Sequence, residues 1–162
     1  MAAQEIDRVW DIIEKVHTGM LTTRFAGGLR ARPLDARPNR EKGIIWFVTD
    51  VRAAKDDEIA AAPDVCLTFV DASDKAYLSI SGRAAVTHDP AKAAEIWKKM
   101  DDVWWPGGAS DPNVRVLRIE PQTAELWDGP GTIVAAFEFA KWRLTGQKPK
   151  VGDERKKTVQ MG

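Results

Sequence analysis

Thr49 and Lys55 bracket the stretch of this chain that most invites a chemical reading. Ahead of them lies Gly43-Ile44-Ile45-Trp46-Phe47-Val48, five consecutive apolar residues after a turn glycine, and the run stops abruptly at Thr49-Asp50. Such a run reads as a strand buried on both faces. Residues 53–61 then read as a short helix with Lys55 in its first turn. Together these supply a hydroxyl at a strand exit, backbone N–H groups at a helix start and a cationic side chain. Helix starts favour phosphate, and a lysine adds a point charge. An ordinary strand-to-helix turn has the same parts, so the pattern alone does not decide between a site and a connection.

Other reactive side chains offer less. His17 and His88 stand far apart with no ligand-like spacing, and no metal site is expected. His17 closes an amphipathic segment, where an imidazole complements the helix dipole more readily than it serves as a base. The single cysteine, Cys66, sits in the apolar run Val65-Cys66-Leu67-Thr68-Phe69-Val70, so a buried inert thiol is expected and an internal disulfide is excluded. Neither a Ser/His/Asp arrangement nor a glycine-rich nucleotide fingerprint occurs, and no side chain stands out as a catalytic acid or base.

Composition narrows the class. The 162 residues suit one domain of ordinary size. Lys+Arg and Asp+Glu both number 24, which lacks the basic footprint of a nucleic-acid binder. No signal-peptide pattern opens the sequence and no apolar run reaches membrane-spanning length, so a cytoplasmic location is expected. Seven tryptophans suggest stacking surfaces or an aromatic interface, although core packing accounts for most tryptophans in most proteins.

The elements that must position these residues follow from periodicity. Ile6, Val9, Trp10, Ile13 and Val16 fall at helical spacing and predict a first amphipathic helix. Residues 19–25 and 29–34 flank Ala26-Gly27-Gly28 and predict a hairpin. In its second strand Arg30 and Arg32 share one face, and Pro33 implies a sheet edge, a bulge or an unusual approach to something outside the ladder. Another buried strand is expected at 65–70, and a long strand at 76–88 with a bulge at Gly82. Asp89-Pro90 starts a helix to about Met100 that buries Ala93, Ile96, Trp97 and Met100. The loop 101–112, with Trp104-Trp105-Pro106-Gly107, reads as a covering or partner-contacting segment. Two strands, 114–120 and 123–127, meet at Pro121-Gln122, and an amphipathic helix spans 132–144. Residues 1–145 form the domain, and 146–162 a charged, loosely held C-terminal tail. The expected fold is mainly β (α+β), a six- to seven-stranded antiparallel split β-barrel with peripheral helices.

In this order the chain resembles the flavin-binding split barrels related to pyridoxamine 5′-phosphate oxidase, and within them the general stress protein 26 branch. The resemblance rests on an ordered set: the leading helix; Arg30-Ala31-Arg32-Pro33-Leu34; Trp46-Phe47-Val48-Thr49-Asp50; Lys55 and its helix; Tyr77-Leu78-Ser79-Ile80-Ser81-Gly82-Arg83-Ala84; Trp104-Trp105-Pro106-Gly107; and Ala124-Glu125-Leu126-Trp127-Asp128. It implies a homodimer with flavin mononucleotide (FMN) at the subunit contact. Arg32, Pro33 and Leu34 would run beside the flavin, with Arg32 and Lys55 on its phosphate. Val48 and Thr49 would touch the ring and ribityl region, Ser79 would join the cofactor-binding set, and Trp127 with Trp104 or Trp105 would cover the ring. The resemblance implies a flavin-dependent oxidoreductase with a small substrate, the alternatives being a non-catalytic flavin-binding stress or sensor module and a binder of FAD, a deazaflavin or haem.

Two departures count against vitamin B6 oxidation. Ala54 stands where the oxidase has an arginine, and Asp128-Gly129-Pro130-Gly131 replaces the arginine–histidine segment that grips its substrate.

Overall fold

The computed structural model describes residues 2–53, 55–129, 132–147 and 156–162. Helix α1 (Ala2–Val16) leads into the hairpin of β1 (Thr18–Phe25) and β2 (Gly28–Asp35). The short strand β3 (Arg37–Asn39) and the central strand β4 (Ile44–Asp50) follow, then α2 (Lys55–Ala61), β5 (Asp64–Asp71) and β6 (Ala76–Thr87). After α3 (Pro90–Ile96) come the long strand β7 (Val114–Trp127), helix α4 (Thr132–Thr145) and β8 (Lys156–Gln160). All strand pairs are antiparallel, in the order β2-β1-β5-β6-β7-β4-β3, with β8 also on β7. The class is the expected one, mainly β with peripheral helices. The sheet has eight strands among the described residues and is not closed into a barrel.

β7 organises the sheet because it serves three neighbours. One edge pairs with β6 along its length, from Trp127 opposite Tyr77 to Val116 opposite Thr87. The other edge is divided: Val114–Ile119 take β4, and Thr123–Trp127 take β8. The expected break at Pro121-Gln122 is therefore a bulge within one strand. Pro121 lies opposite Gly82 and the register slips there, leaving Gln122 as the extra residue. Proline is tolerated at such a point because no ladder N–H is required of it. The carbonyl of Gln122 accepts the Met161 amide at 2.9 Å, so the bulge also fastens the chain end.

Apolar side chains form two clusters on either side of β4. Ile45 and Phe47 join Val9, Ile12, Ile13, Leu21, Leu67 and others in the main core. Val48 turns the other way, into a smaller cluster with Ala93, Trp105, Val114 and Val116. β4 is thus covered on both faces, as its five apolar residues imply. β5 departs from that reading: it alternates, and Val70 is exposed.

Three further expectations need correction. The helix begins with Asp89 capping Lys92, as expected, but ends at Ile96, because Asp101 draws the chain into a separate turn. The Asp101 carboxylate accepts from the Lys98 amide and from Arg37 of β3, and Met100 is left exposed. The loop is not wholly a covering or partner-contacting segment: Trp105 is 8% exposed in the second core, whereas Trp104 is 72% exposed. Finally, Lys156–Gln160 is a sheet strand with Val159 buried in the core, not loose chain.

Candidate functional site

The hairpin register sets the first group of side chains. Arg32 lies opposite Leu21 and Arg30 opposite Thr23, so both arginines share the face of two buried residues and point toward α2. There they meet Glu58. Its carboxylate accepts from the Thr23 hydroxyl at 2.7 Å, from Arg30 at 2.9 Å and from Arg32 at 2.8 Å. Thr23 is 1% exposed, Glu58 8% and the Arg32 side chain 15%. Arg30 also lies over the Phe25 ring, 4.4 Å from its centroid. One Arg32 nitrogen, Nη1, is buried with no hydrogen-bond partner among the described residues. Buried guanidinium donors without acceptors are uncommon.

Burial pushes the Glu58 carboxyl up, but the Thr23 hydroxyl and the Arg32 pair outweigh it, and the net direction is down. Because the folded carboxyl binds a proton less readily than the unfolded one, its contribution to stability is complete above an unfolded value of roughly 4.3. That contribution drains away as pH falls through the lower folded value. Urea unfolding of Glu58→Gln should accordingly show a shallower loss of stability on acidification below about pH 5 than the unaltered protein. Parallel pH profiles would contradict the pairing.

The remaining expected site residues fall, by their contacts, into further groups. Pro33 is exposed on β2, which is an edge strand as its proline implied, and Leu34 packs against the main core. Val48 and Trp105 meet in the second core. Thr49 is 3% exposed, and its hydroxyl has no partner among the described residues. Trp105 Nε1 donates to Asp50 at 3.0 Å, and Asp50 is held well below the usual carboxylate range, first by Arg52. Ser79 and Trp127 lie on β6 and β7, Ser79 with its hydroxyl 3.4 Å from Cys66 Sγ and Trp127 beneath the Lys156 ammonium. Cys66 is therefore half-buried, not sealed in the core. The backbone of Lys55 opens α2, and its side chain lies outside the described residues, as do Ala54, Pro130 and Gly131. Asp128 is bound by Arg8 through two 3.0 Å hydrogen bonds, which ties the end of β7 to α1.

A groove of about 590 Å³ adjoins the arginine group at Thr23, with Thr22, Leu29, Cys66, Ser81 and Gly82 in its walls. That volume suits a small-molecule site. Among the described residues no cluster of His, Cys, Asp and Glu could hold a metal ion, and no helix is long and apolar enough to cross a membrane. Glu58 is the residue that sequence reasoning missed. Two arginines at alternate positions of one strand need a carboxylate when they face inward, and Glu58 on the next short helix was the available one. No local signal, however, specifies a pairing across 26 residues.

An open antiparallel sheet with a leading helix and two arginines paired to one buried carboxylate defines a class, and the comparisons agree with it. Residues 4–150 match the model of the pyridoxamine 5′-phosphate oxidase-like family, and the chain belongs to that family. Among solved structures it is similar to a general stress protein 26 from Jannaschia sp. CCS1, with 28% identity, a TM-score of 0.80 and coverage of 98% of this chain and 99% of that one. It is also similar to the general stress FMN/FAD binding protein from Xanthomonas citri, with 27% identity, a TM-score of 0.70 and coverage of 80% and 92%. General stress protein 26 of Bacillus subtilis is 27% identical over 134 residues, which span 78% of this chain and 91% of that protein.

Proposed function

We propose that this chain binds FMN and acts as a flavin-dependent oxidoreductase of the general stress type on a small substrate. The observation that carries the reading is Arg32, with Nη2 fixed on Glu58 and Nη1 buried and unpaired. A phosphate oxygen satisfies such a donor, and guanidinium–phosphate pairs are among the stronger charged hydrogen bonds. The chemistry of the ligand and of the residues therefore fit. Family membership and the similarity to an FMN/FAD binding protein support the same cofactor class. Bound flavin supplies hydride and electron transfer, and the chain supplies binding, orientation and exclusion of water.

Arg32 and Lys55 hold the phosphate end in this reading, and Thr49, whose hydroxyl is buried without a partner, faces the ribityl region. Two copies of the chain enclose the cofactor. Support for a homodimer comes from apolar side chains left in water by a single chain: Met20, Val70 and Tyr77 on the sheet, and Phe137, Phe139 and Trp142 on α4. Vitamin B6 oxidation remains disfavoured, since Asp128 and its Arg8 partner occupy the end of β7.

Fluorescence titration of FMN is the test. Arg32→Ala and Lys55→Ala should each weaken binding by roughly 1–3 kcal/mol, the worth of a charged hydrogen bond. Unchanged affinity in both would place the phosphate elsewhere, and a protein that takes up no FMN would overturn the cofactor. Dilution that dissociates the dimer should release FMN, and retention by a monomer would contradict a shared site. Binding with neither reduction by nicotinamide donors nor turnover of any acceptor in a panel would make the chain a non-catalytic flavin module.

A further inference from the structure

We propose that Glu58 is a positioning residue, a buried carboxylate fastened by Thr23 that seats Arg30 and Arg32 as a two-arginine cradle for a phosphate monoester. The inference rests on the flavin reading above and assigns two residues, Glu58 and Arg30, that the reading did not use.

The geometry distinguishes a seat from a competitor. A carboxylate that merely occupied an anion site would be reached from solvent and would swing aside when the anion arrived. Glu58 is instead 8% exposed, and its attachment on the inner side is a threonine hydroxyl that is 1% exposed. Both of its oxygens are used, Oε1 by Arg30 and Oε2 by Thr23 and Arg32. The arginines are the more exposed members, 15% for Arg32 and 49% for Arg30. Arg32 Nη1 itself is buried, so a ligand meets the Arg30 guanidinium first and Nη1 at the inner end.

Charge supports the same assignment. Two guanidinium groups on one carboxylate leave one positive charge in excess, which suits an anion. Without the carboxylate the two cations would repel each other in a partly desolvated place, and neither would keep its position. A fork already held in place loses less rotamer freedom when it binds than a free one does. Arg30 is held twice, by Glu58 on one side and by the Phe25 ring on the other. Arg32 is held by one nitrogen, with the other left for the ligand.

The experiment compares FMN with riboflavin, which lacks the phosphate, by fluorescence titration in the full chain and in Glu58→Gln, Thr23→Val and Arg32→Ala. Glu58→Gln should weaken FMN about tenfold, as expected when a charge-assisted hydrogen-bond network is loosened, and should leave riboflavin nearly unchanged. Thr23→Val keeps the shape, removes only the hydroxyl and should act in the same direction with a smaller effect. Nitrogen-15 spectra of the ligand-free protein give a second readout. The Arg32 Nη protons should be resolved in the unaltered chain and averaged by rotation in Glu58→Gln, or in Thr23→Val if the glutamine variant does not fold. Tighter FMN binding in Glu58→Gln would make Glu58 a competitor and overturn the proposal, as would unchanged binding with unchanged Arg32 signals. If Arg32→Ala weakens FMN and Glu58→Gln does not, only the seating role fails. If neither changes the ratio of FMN to riboflavin affinity, the placement of the phosphate fails with it.

Discussion

Trp105→Ala is expected to lower the stability of the protein by about 3–5 kcal/mol in urea unfolding, the range for removing a large aromatic side chain from a core. Trp104→Ala, one residue away, is expected to stay within about 0.5 kcal/mol of the unaltered chain, as exposed substitutions do. The contrast follows from where the two rings go. Trp105 is 8% exposed and packs among Val48, Ala93, Val114 and Val116, with its ring centroid 6.0 Å from that of Trp97. Its Nε1 donates to Asp50 at 3.0 Å, so alanine removes both packing and one donor from a half-buried carboxylate. Asp50 keeps Arg52, which limits the electrostatic part of the loss and leaves the cavity as the main cost. Trp104 is 72% exposed and contributes no side chain to either core. Equal losses for the two variants, or none for Trp105→Ala, would mean that the second core is not what holds this loop. Trp104 lies outside both cores, so its substitution is not expected to register in unfolding.

The same pair of residues shows what the sequence makes legible. Trp104-Trp105-Pro106-Gly107 looks like surface chain because proline and glycine punctuate it, and one ring does lie at the surface. Which ring turns inward depends on the turn that Asp101 builds by accepting from Lys98 and Arg37, and Arg37 is 64 residues away. Long-range pairing of this kind leaves no local trace. β4 was legible because five apolar residues in a row admit no solvent face, and the structure covers both of its sides. β2 was legible as an edge strand because Pro33 cannot serve an interior ladder. β8 was not, because in Lys156-Lys157-Thr158-Val159-Gln160 only Val159 turns into the core. What recruits it is the unfilled edge of β7, together with the Glu125 partner of Lys156 and the Glu5 partner of Lys157. The site divides in the same way. Arg30 and Arg32 on one face follow from strand periodicity, while their seat on Glu58 needs the fold.

Gly82→Ala is expected to cost about 3 kcal/mol, toward the upper end for overpacking, because the neighbour it meets is backbone. A methyl group built on Gly82 would lie 2.6 Å from the Glu120 carbonyl oxygen and 3.2 Å from Ile119 Cγ2. No rotamer change relieves the first contact, so β6 and β7 must separate locally. Gly19 makes a useful comparison: its added carbon would meet the Phe69 ring at 2.8 Å, a side chain that can shift at smaller cost. Separation at Gly82 acts on the bulge opposite, since Gly82 faces Pro121 and the slip in register leaves Gln122 as the extra residue. The Gln122 carbonyl accepts from the Met161 amide, and β8 pairs with the half of β7 that begins at Thr123. Loosening should therefore reach β8 first. Hydrogen exchange is expected to speed up at Thr158 and Met161 by more than the global loss of stability explains, with Leu117 and Ile119 following the global change. Stability within about 0.5 kcal/mol of the unaltered protein, the range of a neutral surface change, would show that the bulge accepts a side chain after all. Gly82 also lines the groove beside Thr23, so the glycine that lets β7 bend shapes one wall of that groove as well.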